Sequence, residues 1–400
     1  MPEKRHILFV DDEPNVLHGL RRLLRAQRHE WDLAFVEGPL QAIDYLGQHS
    51  VDVIVTDMKM PEMDGAELLE RVRDTHPQTV RIALTGHADR ENFLKNMGLV
   101  HQFLAKPCDA TTLRATLRRA YTLRSLLTST GLLELIPRLE SLPSIPDVYR
   151  DIMLELQKPA PSIKAVADIL AKDIGLTTKI LRLVNSAYFG LSRTLTDIRQ
   201  AVSLLGLDVI KALALSVKLF SQVDSAATAG LTERIWQHSL RVGEAARRIC
   251  DLEDCDLDTV NDAYMAGLLH DTGKLVLAMN FPEEMLKVDD VKKEAEHSRL
   301  VVEKAVFGST HAEVGAYLLG LWGLPDSIIE AIAYHHHPEL QPGDGFTPLM
   351  AVHVADALMY GPDLSAVRAE MDVKSIQTLQ REHRITEWWT RCSDLLPETA

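Results

Sequence analysis

Four short stretches of this sequence end in residues able to hold a cation or move a phosphoryl group. The apolar run His6-Ile7-Leu8-Phe9-Val10 leads into Asp11-Asp12, Val51–Thr56 into Asp57, Val80–Leu84 into Thr85, and Gln102–Ala105 into Lys106. Clustered carboxylates repel one another unless a hard cation neutralises them, and Mg2+ takes a few oxygens plus waters and a phosphate. One aspartate could then act as a nucleophile. A lysine would stabilise charge developing on a phosphoryl group, and a threonine hydroxyl would hydrogen-bond the product.

A second set is rich in imidazole. His238, the pair His270-Asp271 with Lys274 one turn on, His311, the pair His335-His336, and Asp356 are scattered over the later half. Ile235, Val242, Ala245 and Ile249 recur in helical register around His238, which places it on an inward face. Imidazoles with carboxylates are good ligands for divalent Fe, Mn or Zn, so the set suits one or two such ions. A dinuclear centre with about 3.5–4 Å between metals would clamp a scissile phosphate, with Lys274 stabilising the leaving charge.

The elements that must position these residues follow from periodicity. Over the first part, five strand-like runs alternate with helical patterns such as Leu17, Leu20, Leu23 and Leu24, which predicts a doubly wound, five-stranded parallel sheet covered on both faces. Sites in such sheets form beyond the carboxyl ends of the strands, where the strand order reverses. Leu113, Leu117, Ala120, Leu123, Leu126 and Leu127 predict a helix running on into a connector, and Pro137, Pro143 and Pro146 mark a boundary. Beyond them nearly every segment has helical spacing. The expected organisation is an α/β domain at 1–122, a helical connector at 123–136 and an all-α domain at 137–400, with a core at 137–335 and a C-terminal helical extension at 336–400. In that extension Trp388-Trp389 sit on an amphipathic helix, which either closes the core or meets a partner.

Composition narrows the partners. The 43 basic against 57 acidic residues give a net charge of −14, which repels a nucleic-acid backbone. Arg114, Arg118, Arg119 and Arg124 fall at spacings of one solvated helix side. With no run of about 18 apolar residues and no signal-peptide pattern in MPEKRHILFVDD, the expectation is a cytoplasmic protein without membrane insertion. Val209–Val223 reads as a buried core helix. Cys108, Cys250, Cys255 and Cys392 form no CxxC pair, as expected of reduced thiols.

VDDEP, VTDMKMPEMDG, ALTG and FLAKP, in this order, resemble the signature blocks of the response-regulator receiver family of two-component systems over residues 5 to 122. The resemblance implies a flavodoxin-like fold in which Asp57 is the phosphoacceptor and Asp11, Asp12 and Asp57 hold Mg2+. It further implies Thr85, Phe103 and Lys106 as the switch and phosphoryl-binding set, and a cognate histidine kinase as partner. The Lys59 carbonyl is a weaker candidate for Mg2+, its side chain being read as solvated.

LPSIPDV, KDIGLTTKILRLVNSAYFG, AVSLLG, GLLHDTGKLVL and HAEVGAYLLGLWGLPDSIIEAIAYHHHPE resemble the HDOD output domain, a relative of HD-type metal-dependent phosphohydrolases, over residues 135 to 335. The HD superfamily implies metal ligands at His238, His270, Asp271, His311, His335, His336 and Asp356. The related HD-GYP enzymes carry a DGxGYP block just after paired histidines; here Asp344-Gly345-Phe346-Thr347-Pro348 is displaced and lacks the GYP. Three outputs follow: interaction with a downstream signalling protein or a second copy of the chain, hydrolysis of a cyclic dinucleotide or other nucleotide phosphoester, or nucleotide binding without catalysis. A DNA-binding output is disfavoured by the charge and by the lack of a basic recognition helix. Phosphorylation of Asp57 is expected to draw Thr85 and Phe103 inward and alter packing through the helix near Leu113 to Leu127.

Overall fold

Ile7, Leu8, Phe9 and Val10 are successive apolar residues, the pattern of a strand covered on both faces. In the computed structural model all four are buried in strand β1 (Arg5–Asp11). The structure describes residues 5–76, 79–85, 102–106, 110, 113–114, 116–117, 120, 130–139, 142–143, 145–156, 158, 161–185, 195–223, 229–294, 299–322, 324–341, 345–360 and 363–396. After β1 come α1 (Pro14–Leu23), β2 (Trp31–Glu37), α2 (Pro39–Leu46), β3 (Val53–Asp57), α3 (Gly65–Thr75), β4 (Val80–Thr85) and β5 (Gln102–Ala105). The strands form one parallel sheet in the order β2-β1-β3-β4-β5. The chain leaves β1 outward to β2 and returns past it to β3, so the order reverses between β1 and β3.

Alternation sorts the strand side chains onto two faces. Leu8, Val10, Ile54 and Ala83 pack with Ala42 and Leu46 of α2 and with Leu68, Leu69 and Val72 of α3. Phe9 stacks on Phe35, with ring centroids 5.0 Å apart. The expected doubly wound sheet is what forms. Of the connecting helix read at 113 to 127, Leu113, Leu117 and Ala120 are buried. Leu123, Leu126 and Leu127 lie outside the described residues, as do Arg118, Arg119, Arg124 and Cys108.

The rest is helical: α4 (Thr130–Leu135), α5 (Asp147–Leu156), α6 (Ile163–Ala171), α7 (Ile174–Val184), α8 (Ile198–Val223), α9 (Ala229–Leu252), α10 (Leu257–Leu269), α11 (Thr272–Asn280), α12 (Pro282–Glu294), α13 (Arg299–Phe307), α14 (His311–Leu321), α15 (Asp326–Tyr334), α16 (Pro348–Leu358), α17 (Leu364–Glu370), α18 (Val373–Thr378) and α19 (Ile385–Arg391). Ala212, Leu213, Ala214 and Leu215 of α8 are buried, in keeping with a core helix. Gly206 breaks α8 at φ 81°, a conformation that favours glycine. Asn185 closes α7 by bonding both backbone groups of Leu195: its Oδ1 accepts from the N–H at 2.7 Å and its Nδ2 donates to the carbonyl at 2.8 Å.

Close backbone approach between helices decides where the histidines meet. A Cβ on Gly267 of α10 would lie 2.7 Å from Gly243 Cα in α9, and one on Gly273 would lie 1.8 Å from the His311 carbonyl oxygen. Both distances are below any real Cβ contact, so α9 can touch α10, and α11 can touch α14, only through glycine. The last helices close against α9. Trp388 is fully buried, and its Nε1–H donates to Glu253 Oε1 at 3.0 Å. Arg381 and Arg384 pair with the same carboxylate at 2.7 and 2.8 Å.

The chain divides into two compact units, Met1–Pro137 with Tyr317–Asp326 and Arg138–Ala316 with Ser327–Ala400. Among the described residues no helix is long and apolar enough to cross a membrane.

Candidate functional site

At the carboxyl edge of the sheet, β1 ends at Asp11 and β3 at Asp57, the two strands that flank the reversal. Lys106, just after β5, places Nζ 2.8 Å from Asp11 Oδ2 and 2.5 Å from Asp57 Oδ1. Burial lowers the affinity of this ammonium for its proton, but hydrogen bonds to Asp11 and Asp57 outweigh that and hold its pKa above the usual lysine value. The other carboxylate oxygens accept backbone N–H groups, Asp11 Oδ1 from Glu13 at 3.0 Å and Asp57 Oδ2 from Lys59 at 2.9 Å. Asp11 is 1% exposed and the Asp57 side chain 14%, so Asp57 is the one of the two open to a phosphodonor. Asp12 is exposed beside them, and the Lys59 side chain is solvated. Thr85 and Phe103 end β4 and stand in β5, with side chains outside the described residues.

Gly65 shapes this edge, though the spacing of charged residues gave no sign of it. A Cβ there would lie 2.1 Å from the Asp57 carbonyl oxygen and 2.8 Å from Met58 Cα. Glycine lets the loop fold back so that its N–H donates to the Met58 carbonyl at 3.1 Å. Asp64 then caps α3, its Oδ1 accepting from the Glu67 N–H at 2.8 Å.

In the helical unit all seven residues singled out from the sequence come together. His238 comes from α9, His270 and Asp271 from the α10–α11 junction, His311 from the start of α14, His335 and His336 from the end of α15, and Asp356 from α16. His238 Nε2 is 2.9 Å from Asp356 Oδ1. Asp271 Oδ1 stands 3.5 Å from His270 Nε2 and 3.3 Å from His311 Nε2. His336 Nε2 is 3.2 Å from His311 Nε2. Lys274 Nζ donates to Asp271 Oδ2 at 2.7 Å. Ligand atoms fall into three groups compact enough for one ion each: His238, His270 and Asp356; His311, His335 and His336; and His270, Asp271 and His335.

These side chains are aimed by neighbours. His270 Nδ1–H donates to the Gly267 carbonyl and His335 Nδ1–H to the Ile332 carbonyl, both at 2.8 Å. The proton is thereby fixed on Nδ1 and Nε2 is left as an acceptor. Three residues of this scaffold went unread in the sequence. Glu303, fully buried, accepts from the N–H and Nδ1–H of His311. His353 donates Nδ1–H to the His335 carbonyl at 2.7 Å while its Nε2 accepts from the Asp372 N–H at 2.8 Å. Tyr360 places its ring 5.5 Å from that of His238. One signal existed for His353, which precedes Asp356 by three residues and so shares its helix face.

Buried atoms without partners test whether this set suits a metal. His270 Nε2, Asp271 Oδ1 and His335 Nε2 are buried and lack a hydrogen-bond partner. Leaving such groups unpaired is costly, and here all three point into the cluster. Protonation agrees. Burial holds His270 and His335 below the usual imidazole value and takes His336 down to about 3. Asp271 and Asp356 stay well below the usual carboxylate value although burial opposes it, Asp271 because His270 and Lys274 lie against it and Asp356 because His238 bonds it. Neutral imidazoles beside ionised carboxylates are the state that binds divalent cations. The donor set therefore fits the implied metal.

The reversed strand order with its Asp11, Asp57 and Lys106 defines a receiver-type α/β domain, and the helical histidine–aspartate cluster defines an HD-type one. The response regulator receiver domain family matches residues 7–118 and the HDOD domain family residues 142–338. The chain carries a receiver domain followed by an HDOD domain. A crystal structure of an HDOD domain protein of unknown function from Geobacter sulfurreducens is 27% identical, with a TM-score of 0.54 over 68% of this chain and 99% of that one. An uncharacterized protein of Treponema pallidum is 28% identical over 54% of this chain and 41% of its own length. The hydrogenase transcriptional regulatory protein HoxA of Cupriavidus necator is 34% identical over 28% of this chain and 23% of its own length. The chain thus spans less than half the length of these curated relatives. The HDOD match ends at 338, before α16, so Asp356 joins the cluster from beyond it.

Proposed function

We propose that a histidine kinase phosphorylates Asp57 and that this controls the helical domain, which signals by binding a downstream protein or a second copy of the chain. The observation behind it is Lys106 bridging Asp11 and Asp57 at the sheet edge. The two carboxylates lie within reach of a single cation, as Mg2+ needs, and Lys106 stands where a phosphoryl oxygen on Asp57 would require a positive partner. Asp11, Asp12 and Asp57 are the Mg2+ ligands in this reading, and Thr85, Phe103 and Lys106 the groups that register the phosphoryl. The test uses acetyl phosphate and Mg2+ with the full chain. Wild type becomes labelled on a phosphate-affinity gel, and its oligomeric state or partner capture changes. Asp57→Asn loses the label by about 100-fold or more, as expected when a nucleophile is removed. Label persisting in that variant refutes the assignment.

The three buried atoms without partners favour a second reading, a metal-dependent phosphohydrolase acting on a cyclic dinucleotide or other nucleotide phosphoester. His238, His270, Asp271 and Asp356 would hold one divalent ion, and His311, His335 and His336 a second. When bound, Fe, Mn or Zn would supply Lewis-acid charge toward a phosphoester. Lys274, fixed on Asp271, contributes an ammonium beside that charge. The displaced Gly345-Phe346-Thr347-Pro348 has a structural use, since Thr347 caps α16 and Pro348 begins it. Metal content and turnover of cyclic dinucleotides are the test. Transition metal in wild type, with metal and turnover both lost on combining His270→Ala and Asp271→Ala, supports hydrolysis. A folded, metal-free, inactive wild type leaves the interaction output alone.

A further inference from the structure

The cluster histidines with an anchored Nδ1 have two kinds of anchor. For His270 and His335 it is a backbone carbonyl, Gly267 and Ile332. For His311 it is a carboxylate. Glu303 Oε2 accepts the His311 backbone N–H at 2.8 Å and its Nδ1–H at 2.7 Å, while Oε1 accepts from Arg299 Nε at 2.8 Å. Both Glu303 and His311 are fully buried. Two donors on one oxygen and a guanidinium on the other lock the carboxylate, and it in turn locks the ring.

The location matters because the cluster is uneven. The group His238, His270 and Asp356 contains a carboxylate ligand, whereas His311, His335 and His336 are imidazoles alone, and the carboxylate beside them, Asp271, already has one oxygen on Lys274. Three imidazole ligands bring no negative charge of their own to balance a divalent ion. A carboxylate behind an imidazole fixes the tautomer, makes Nε2 more basic, and places a negative charge one ring away from the ion. His311 Nε2 points inward, 3.3 Å from Asp271 Oδ1.

We infer that Glu303 is a positioning residue that supplies the all-histidine half of the centre with the charge it lacks, so that this half can hold a divalent transition ion. This rests on the metal-binding reading above. Glu303 touches neither ion nor substrate. It acts through His311, and its loss weakens one half-site selectively.

Calorimetric titration of the metal-stripped full chain with Zn2+ tests this. Wild type shows two classes of site, assigned by His311→Ala, which removes one, and His270→Ala, which removes the other. Glu303→Gln weakens the His311 class about 10- to 100-fold, the range for loss of such a partner, and leaves the His270 class near wild type, while the metal-free thermal midpoint falls because Arg299 loses its buried partner. Should the glutamine variant not fold, Glu303→Asp keeps the charge but withdraws it by one methylene, and weakens the same class by a smaller factor. Arg299→Met, which leaves the carboxylate in place, keeps both classes within a few-fold. Wild type with two classes and both variants of Glu303 unchanged overturns this inference alone. Equal loss of both classes in a folded variant overturns its selectivity. A wild type that takes up no Zn2+ removes it together with the metal-binding reading.

Discussion

At the sheet edge Lys106 lies against both Asp11 and Asp57, whereas in the helical domain Lys274 lies against Asp271 and leaves Asp356 to His238. The first site meets water: the Lys106 side chain is 27% exposed and that of Asp57 14%. Repulsion between its carboxylates is already offset by its own ammonium, and solvent screens what is left. The second is buried at its floor, with Lys274 and Asp271 6% and 2% exposed, and opens only at its rim, where the His238 and His336 side chains are 17% and 25% exposed. Its spare acceptor atoms, His270 Nε2, Asp271 Oδ1 and His335 Nε2, are buried and have no hydrogen-bond partner in the protein. An open site can rest between signals without a ligand. A buried one with unpaired acceptors gains stability from a cation that fills it.

The largest effects are expected where backbone approach leaves no room. Gly273→Ala would push a methyl to within 1.8 Å of the His311 carbonyl, and Gly65→Ala one to within 2.1 Å of the Asp57 carbonyl. Neither obstacle is a flexible side-chain tip, so backbone must move, at a cost of about 3 kcal/mol or more. The outcomes should differ. Gly273→Ala separates α11 from α14 and lowers the midpoint of the helical unfolding transition along with metal uptake. Gly65→Ala spares that transition and abolishes labelling of Asp57. Loss of both functions in either variant would break the separation of the two sites.

Next in size are the two lysines. Lys274→Met strands a fully buried carboxylate, and breaking a buried pair costs about 3–5 kcal/mol. Zn2+ should restore much of it, because an ion returns positive charge to Asp271. Lys106→Met removes a cation that faces the half-open Asp57 as well as the buried Asp11, and costs about 1–3 kcal/mol, with Mg2+ as its remedy. Thermal unfolding with and without each ion measures both. Equal losses would refute the contrast in hydration drawn above.

The two sites also differ in how far the sequence discloses them. Asp11, Asp57 and Lys106 stand directly after apolar runs, and a parallel sheet brings such strand ends to one edge whatever the details of packing. The seven histidine-cluster residues are legible by type, but only helix crossings at Gly243, Gly267 and Gly273 bring α9, α10, α11 and α14 close enough to join them. Those glycines look unremarkable in one dimension, because the need for them comes from another helix. Glu303 is hidden for the same reason. It precedes His311 by eight residues, with a helix end between, and nothing in local periodicity connects them. The division of the helical half at 335 shows the same limit: α16 follows it in sequence, yet packs on α9 and α10 and carries Asp356.

The smallest effect concerns two caps. Asp64 accepts the Glu67 N–H at the start of α3, and Thr347 accepts the Met350 N–H at the start of α16. Replacing such a cap by alanine costs about 1 kcal/mol in either place, since each leaves one backbone donor without its partner. The carboxylate of Asp64 bonds at 2.8 Å and the hydroxyl of Thr347 at 3.4 Å, so Asp64→Ala should be the costlier of the two by a few tenths of a kcal/mol. Function should rank the other way. Asp57 sits on β3, and the backbone donor of Lys59 holds it independently of the α3 cap, so Asp64→Ala keeps the rate of labelling within about two-fold. Asp356 rides on α16 itself, and fraying at Thr347 loosens the helix that places it against His238, so Thr347→Ala lowers Zn2+ affinity by about two- to five-fold despite the smaller loss of stability. Parallel changes of stability and ligand affinity in the two variants would mean that α3 and α16 position their sites alike, and the contrast between an edge built on strands and a centre built on helices would not extend to the caps.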